Sequence, residues 1–135
     1  MNEQILNNMK RHRATNPATE NTCDSPCPVS FAMSLIGGKW KCIVLFHLVD
    51  GPKRFGVLRR SIPSITQRML TLTLRELEAD HLVNRKVFEV VPPHVEYSLT
   101  AMADELQPVM ESMAAWGEHY YKNKVEKDDM ATASA

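Results

Sequence analysis

The feature that most constrains this fold is a proline between two amphipathic segments in the middle of the chain. Residues 54–99 read RFGVLRRSIPSITQRMLTLTLRELEADHLVNRKVFEVVPPHVEYSL. Pro63 ends the first segment, because proline cannot continue a helix and disfavours the α region for the residue before it. Leu70, Leu74 and Leu77 recur at helical spacing in the second segment and predict a buried face. The order is therefore a short helix, a turn and a longer helix.

Two strand-like segments follow the longer helix. Residues 82–90 are rich in β-branched and apolar types, and residues 94–99 alternate between polar and apolar positions. Pro92-Pro93 lies between them and predicts a hairpin with a rigid tip. His81, just before the first strand, is expected in the left-handed region. This order predicts a mainly α fold with a small β-hairpin (α+β), a winged helix-turn-helix.

Two further helices are predicted ahead of this segment. Cys27-Pro28 begins the first, and Gly37-Gly38 ends it. The second is expected over residues 39–48, with an inner side formed by Trp40, Ile43, Val44, His47 and Leu48.

The last helix begins at Thr100, a residue type that can cap a helix N-terminus. Pro108 is expected to kink it. Its apolar residues recur every 3.5 positions, the period of two helices packed side by side, and so predict a homodimer. With apolar residues of the first helix, the expected dimer interface is Val29, Met33, Met102, Leu106, Val109, Met113, Trp116 and Tyr120.

The 135 residues suit one domain. We expect a flexible arm over residues 1–25, the folded domain over 26–122 and a flexible tail over 123–135. There is no apolar run of membrane-spanning length and no secretory signal, so a cytoplasmic protein is expected. Three cysteines argue against a structural disulfide framework.

The net charge is zero, but the charges are unevenly distributed. Residues 39–86 contain ten basic and four acidic residues, whereas residues 87–135 contain nine acidic and three basic residues. A basic middle region is typical of a surface that contacts phosphates.

The motifs CPVSFAMSLIGGKW, RFGVLRRSIPSIT, LRELEADHLVNR and VPPHVEYSLT resemble, in this order, the HxlR-type winged-helix transcriptional regulators, relatives of the MarR regulators. The resemblance covers about residues 27–120. It implies a homodimeric DNA-binding repressor or activator, of which we expect the repressor, with Trp40 in the core. His81 departs from the usual glycine, and residues 101–104 depart from the usual Glu-Leu-Gly.

The resemblance places the recognition helix at residues 64–75 and the wing at residues 85–94. We expect Gln67, Arg68 and Thr71 to contact base edges of a palindromic duplex operator. Phosphate contacts are expected from basic residues before and within the helix-turn-helix. The complete predicted DNA-binding set is Lys39, Lys41, Arg54, Arg59, Arg60, Ser64, Thr66, Gln67, Arg68, Thr71, Arg75, Arg85, Lys86 and His94.

Cys27 is the predicted redox- or electrophile-sensing residue, because a helix N-terminus favours the thiolate. The resemblance to the HxlR-type regulators implies the same role, since several of them carry a sensing cysteine at this position. Cys23 is a candidate resolving cysteine. An inert Cys27 is the alternative reading. A zinc site built from Cys23, Cys27, Cys42 and His47 is disfavoured, because Cys42 and His47 lie on a helix whose apolar face is needed for packing. Neither a metal nor another cofactor is therefore expected.

No Gly-rich phosphate loop, GxSxG elbow or HExxH motif is present, which argues against an enzyme. Two alternatives stay open. One is a winged-helix regulator controlled by a small apolar ligand at a methionine-rich dimer interface. The other is a winged helix that binds only protein.

Overall fold

The computed structural model describes residues 27–133, so the predicted arm over residues 1–25 lies outside the described part. The elements are α1 Pro28–Ile36, α2 Lys41–His47, β1 Lys53–Arg54, α3 Phe55–Ser61, α4 Gln67–Ala79, β2 Val83–Phe88, β3 His94–Leu99, α5 Ala101–Asp104 and α6 Gln107–Ala133. The strands form one antiparallel sheet in the order β1-β3-β2. The predicted fold class, a mainly α winged helix-turn-helix, is confirmed.

Helix α4 is fixed in place by one buried side. Leu70, Leu74 and Leu77 are almost completely buried, as their spacing predicted. Burying each leucine contributes roughly 2 kcal/mol relative to leaving it in water. Thr66 caps the helix, since its hydroxyl oxygen accepts a hydrogen bond of 3.1 Å from the N–H of Met69. The core that surrounds these leucines also contains Ile36, Val44, Leu45, Leu48, Leu58, Ile62, Ile65, Leu82, Val83, Ala103 and Met110.

The chain leaves α4 through His81, whose φ is 58°. The N–H of Leu82 donates to the carbonyl of Leu77 at 2.9 Å, and the N–H of His81 donates to the carbonyl of Glu78 at 3.0 Å. These two bonds form a Schellman motif. The hydroxyl of Thr100 donates to the carbonyl of His81 at 2.8 Å and ties the end of β3 to this turn. The expected left-handed conformation of His81 is confirmed.

Strands β2 and β3 form the wing, with a register that runs from Val83 opposite Leu99 to Phe88 opposite His94. β1 adds two residues to the other side of β3. β2 is shorter than the predicted 82–90, and Pro92 and Pro93 lie between the strands as expected.

Helices α1 and α2 meet at a bend of 72° around Gly37 and Gly38. α2 begins two residues later than predicted, with Trp40 at its N-cap and packed against the core. The predicted inward position of Ile43 is wrong: Ile43 is exposed and Leu45 is buried instead. Within residues 27–133 no single helix is both long and apolar enough to cross a membrane, although α1 and α2 together meet the length and composition.

The prediction of one kinked helix from Thr100 to Tyr120 is wrong. α5 ends at Asp104 and a new helix begins at Gln107. Pro108 therefore lies in the first turn of α6, where its missing N–H leaves no hydrogen bond unmade and its fixed φ suits the helix.

The chain beyond residue 122 is helical to Ala133, where a fraying tail was expected. Residues 123–133 contain neither glycine nor proline, and alanine, lysine, glutamate and methionine favour a helix. Lys122 also pairs with Glu118 one turn earlier, at 3.0 Å. The division of the chain into an arm, a domain and a tail stays a prediction.

Replacing His81 by glycine should stabilise the fold. A non-glycine residue in the left-handed region costs roughly 1 kcal/mol, and glycine removes that cost. We expect His81→Gly to raise the free energy of unfolding in urea by about 0.5–1 kcal/mol. Ala79→Gly, which puts the same residue inside the helix, should lower it by up to about 1 kcal/mol. Destabilisation by both variants would contradict the assigned role of His81.

Candidate nucleic-acid interface

The side of α4 opposite the buried leucines carries Arg68, Leu72 and Arg75 in one row. Their i, i+4, i+7 spacing places them on one face, and all three side chains are exposed. No acidic residue stands in this row. Because the leucine side of α4 packs into the core, the opposite side faces solvent. The guanidinium groups of Arg68 and Arg75 are therefore exposed.

The N-terminal end of α4 meets the last turn of α3. Nη1 of Arg59 lies 3.5 Å from Oε1 of Gln67. A shallow groove of about 360 Å³ lies at this junction and is lined by Gly56, Arg59, Arg60, Pro63 and Ile65. The structure thus brings Arg59, Arg60 and Gln67 to the same end of the helix pair.

The hydroxyl groups in the predicted set are partly engaged within α4. The hydroxyl oxygen of Thr66 accepts the capping hydrogen bond, and the hydroxyl of Thr71 donates to the carbonyl of Gln67 at 2.9 Å. Ser64 is exposed in the turn before the helix. The side chain of Ser64 is therefore at the surface of the turn, whereas the hydroxyl groups of Thr66 and Thr71 form hydrogen bonds within α4.

The two predicted lysines near α2 lie in different environments. Nζ of Lys39 lies 4.7 Å from the centroid of the Trp40 ring, and its side chain is exposed. Nζ of Lys41 lies 3.4 Å from Oε2 of Glu76, and the lysine side chain is 21% exposed. Lys41 therefore connects α2 with α4, a role that the sequence did not indicate.

The predicted wing residues Arg85 and Lys86 point to opposite faces of the hairpin, because successive strand residues alternate. Arg85 stands opposite Tyr97, which packs against the core, and Lys86 stands opposite Glu96. Arg54 of β1 also pairs with Glu96, so Arg54 and Lys86 share the outer face.

An aromatic pair lies near the tip of this outer face. The rings of Phe88 and His94 are stacked with centroids 4.6 Å apart, and Nζ of Lys86 lies 4.8 Å from the centroid of Phe88. The predicted pair Lys86 and His94 is thus brought together through Phe88, which sequence reasoning did not single out. The alternation of side chains along β2 is the sequence signal for this arrangement, because it places Lys86 and Phe88 on one face and Arg85 on the other.

A second residue that sequence reasoning missed is Leu72. It is out of phase with the stripe formed by Leu70, Leu74 and Leu77, and that phase difference is the signal that could have found it.

The predicted dimer stripe is exposed over most of its length. Val109, Met113, Trp116 and Tyr120 line the outside of α6; Trp116 is 67% exposed, and its ring stacks on that of Tyr120 at 5.5 Å. Leu106 differs, since it is half-buried against the core. Val29, Met33 and Met102 are also exposed. Pro108, Val109, Ser112, Met113 and Trp116 form an open apolar patch along α6.

The two cysteines in the described range differ in their surroundings. Cys27 is exposed at the N-cap of α1, and its side chain makes no capping hydrogen bond there. Cys42 is half-buried, and burial raises the pKa of its thiol. Cys23 lies outside the described residues. Among residues 27–133, no three histidine, cysteine, aspartate or glutamate side chains are grouped closely enough to hold a metal ion.

Comparison with known proteins gives close relatives. The sequence profile of the HxlR-like helix-turn-helix family matches residues 35–125. The uncharacterised HTH-type transcriptional regulator YybR of Bacillus subtilis is 59% identical over 92 residues, which is 68% of this chain and 74% of YybR. The redox regulator HypR in its oxidised form is 58% identical with a TM-score of 0.66, covering 69% of this chain and 96% of HypR. Quinone-bound YodB of B. subtilis is 38% identical with a TM-score of 0.59, covering 69% and 99% of the two chains.

Cys27 should react with a thiol reagent faster than Cys42. The nucleophile is the thiolate, and the raised pKa of Cys42 leaves less thiolate at neutral pH. We expect Cys27 to be alkylated by iodoacetamide at pH 7.5 at least about tenfold faster, measured by peptide mass spectrometry. Raising the pH should narrow the difference. Equal rates in the folded protein would contradict the assigned burial of Cys42, and denatured protein serves as the control.

Proposed function

Since the chain belongs to the HxlR-like helix-turn-helix family and is a transcriptional regulator of this type, we propose that it is a homodimeric repressor that binds a specific DNA sequence. The observation that carries the proposal is the exposed row of α4, with Arg68 and Arg75 on the side opposite the buried leucines. A major groove admits one α-helix, and arginine can bond the edge of guanine in bidentate fashion. Helix α4 is thus the proposed recognition helix.

The neighbouring cations fit contacts to the phosphate backbone. Lys39, Arg54, Arg59 and Arg60 have exposed side chains before or within the helix-turn-helix. Such contacts fix the register of the protein on the duplex, while base contacts supply specificity. Lys41 is a weaker candidate than the sequence suggested, because a phosphate would compete with Glu76 for it.

The wing is proposed to lie beside the recognition helix along the duplex. Arg85 and Lys86 stand on opposite faces of the hairpin, so they fit a hairpin that enters a groove and has a backbone strand on each side. His94 would then lie close to the same backbone as Lys86, through its stacking on Phe88.

A second copy of the chain is the proposed partner of α6. The helix has 27 residues and is about 40 Å long. Its buried residue is Met110, and residues 111–133 are all exposed. Exposed aromatic and methionine side chains at a 3.5-residue spacing are typical of a helix–helix interface. A two-fold dimer presents two recognition helices, and the expected operator is palindromic.

Control by oxidants or electrophiles through Cys27 is proposed as the signal. Cys27 is exposed and lies two residues from Val29, part of the proposed interface. HypR and YodB support the hypothesis, since the first is named a redox regulator and the second was solved with a quinone bound. Modification of a thiol next to the interface would shift one recognition helix relative to the other.

A second candidate is control by a small apolar ligand. The observation that favours it is the exposed apolar patch on α6 that contains Met113 and Trp116. In this form of the proposal the ligand competes with the second copy for the same apolar side chains. A winged helix that binds only protein is disfavoured by the basic middle region, and the absence of salt-dependent affinity in a DNA-binding assay would argue for it.

Replacing a base-contacting arginine by alanine should affect DNA binding differently from replacing a phosphate-contacting arginine. Arg68→Ala should lower the preference for the selected operator over random DNA by roughly 5- to 150-fold, since one bidentate base contact supplies about 1–3 kcal/mol of discrimination. Arg60→Ala should weaken binding to all sequences alike and reduce the salt slope by about one. Fluorescence anisotropy at several salt concentrations measures both. Lys124→Ala on α6 is the control; unchanged specificity of Arg68→Ala would remove Arg68 from the base contacts.

Diamide should change operator affinity through Cys27. Diamide removes two electrons and two protons from a pair of thiols and leaves a disulfide. We expect treated wild-type protein to change its operator affinity, measured by gel shift, with Cys27 found in a disulfide by mass spectrometry. Cys27→Ser should not respond, and Cys42→Ser should behave as wild type. An equal response from Cys27→Ser would contradict the sensing role.

A further inference from the structure

Leu72 is an apolar residue at the most exposed side of α4. It is 48% exposed, although Leu70, Leu74 and Leu77 of the same helix are buried. Arg68 stands one turn before it and Arg75 one turn after it in the outward row. In the proposed DNA complex this outward row faces the major groove, where the exposed leucine between two arginines is placed to contact a base edge.

We propose that Leu72 is a specificity-determining residue that contacts the C5-methyl group of a thymine in the major groove. The inference rests on the proposed DNA binding by α4. Thymine is the base whose major-groove edge carries an apolar group, and apolar side chains pack against that methyl in known complexes. The operator then contains a thymine at one defined position in each half-site.

The charges around Leu72 favour duplex DNA as the occupant over a protein surface. Both residues that flank Leu72 in the row are cations. A complementary partner therefore carries negative charge on either side of an apolar group. The acidic residue closest in sequence, Glu76, is held by Lys41 at 3.4 Å. The major groove has this arrangement at a thymine, because the methyl group lies between two negatively charged phosphate backbones.

The helix geometry limits where the thymine stands. Leu72 lies about 6 Å along the axis from Arg68 and about 4.5 Å from Arg75, at a rise of 1.5 Å per residue. Base pairs stack about 3.4 Å apart. The thymine is therefore expected within about two base pairs of the base that Arg68 contacts.

Met69 supplies a matched comparison within the same helix. It is also apolar and 38% exposed. At about 100° per residue, Met69 lies about 90° round the helix from the row of Arg68, Leu72 and Arg75. It should therefore lie away from the base edges that the row contacts.

The experiment removes single methyl groups from the DNA. The operator is first selected from random duplexes with wild-type protein, and each thymine is then replaced by deoxyuridine. We expect one position per half-site at which loss of the methyl weakens wild-type binding about fourfold, and about 15-fold when both half-sites are changed. Leu72→Ala and the polar Leu72→Gln should lose this sensitivity, whereas Met69→Ala should keep it.

The outcomes separate the inference from the function on which it rests. Selection of no preferred sequence would overturn the proposed function. A selected operator that tolerates deoxyuridine everywhere would overturn the role of Leu72 and leave the DNA-binding function standing. Full sensitivity in Leu72→Gln, or its loss in Met69→Ala, would assign the methyl contact to another side chain. A change in the oligomeric mass of Leu72→Ala would place Leu72 between copies instead.

Discussion

The burial of three leucines along one side of α4 is the constraint on which the rest of this structure depends. Leu70, Leu74 and Leu77 fill the centre of the core, and their spacing fixes the rotation of the helix about its own axis. Because that rotation is fixed, Arg68 and Arg75 are exposed on the side of α4 that faces away from the core. The Schellman motif at His81 then starts the wing from the same helix, so one set of packing contacts determines the placement of both elements.

Much of the fold was predictable because its signals are local. Pro63, the leucine spacing, His81 and the Pro92-Pro93 turn each act within a few residues, and the structure has all four where the sequence indicated. The break between α5 and α6 was not predictable in this way. The 3.5-residue apolar stripe continues through positions 105–106, where the helix is interrupted. Apolar spacing indicates which side of a helix is buried, but it does not indicate whether the backbone hydrogen bonds of the helix continue.

The candidate site was predictable in composition and less so in arrangement. A list of basic residues does not show that Lys41 is paired with Glu76, because the two residues are 35 positions apart and meet only when α2 packs on α4. In contrast, the separation of Arg85 from Lys86 and the outward position of Leu72 follow from strand alternation and helix phase. Neither arrangement is visible in the charges alone, so an apolar residue can be as informative as a cation on such a surface.

The length of α6 has a mechanical consequence. A helix about 40 Å long that is anchored near one end amplifies small rotations: a tilt of ten degrees at Met110 would move the far end by about 6 Å, close to the height of two base pairs. Among the residues of α6 only Met110 is buried, so the joint to the winged domain is narrow. In the proposed dimer, a small rotation at this joint would therefore be enlarged along the length of each α6 helix.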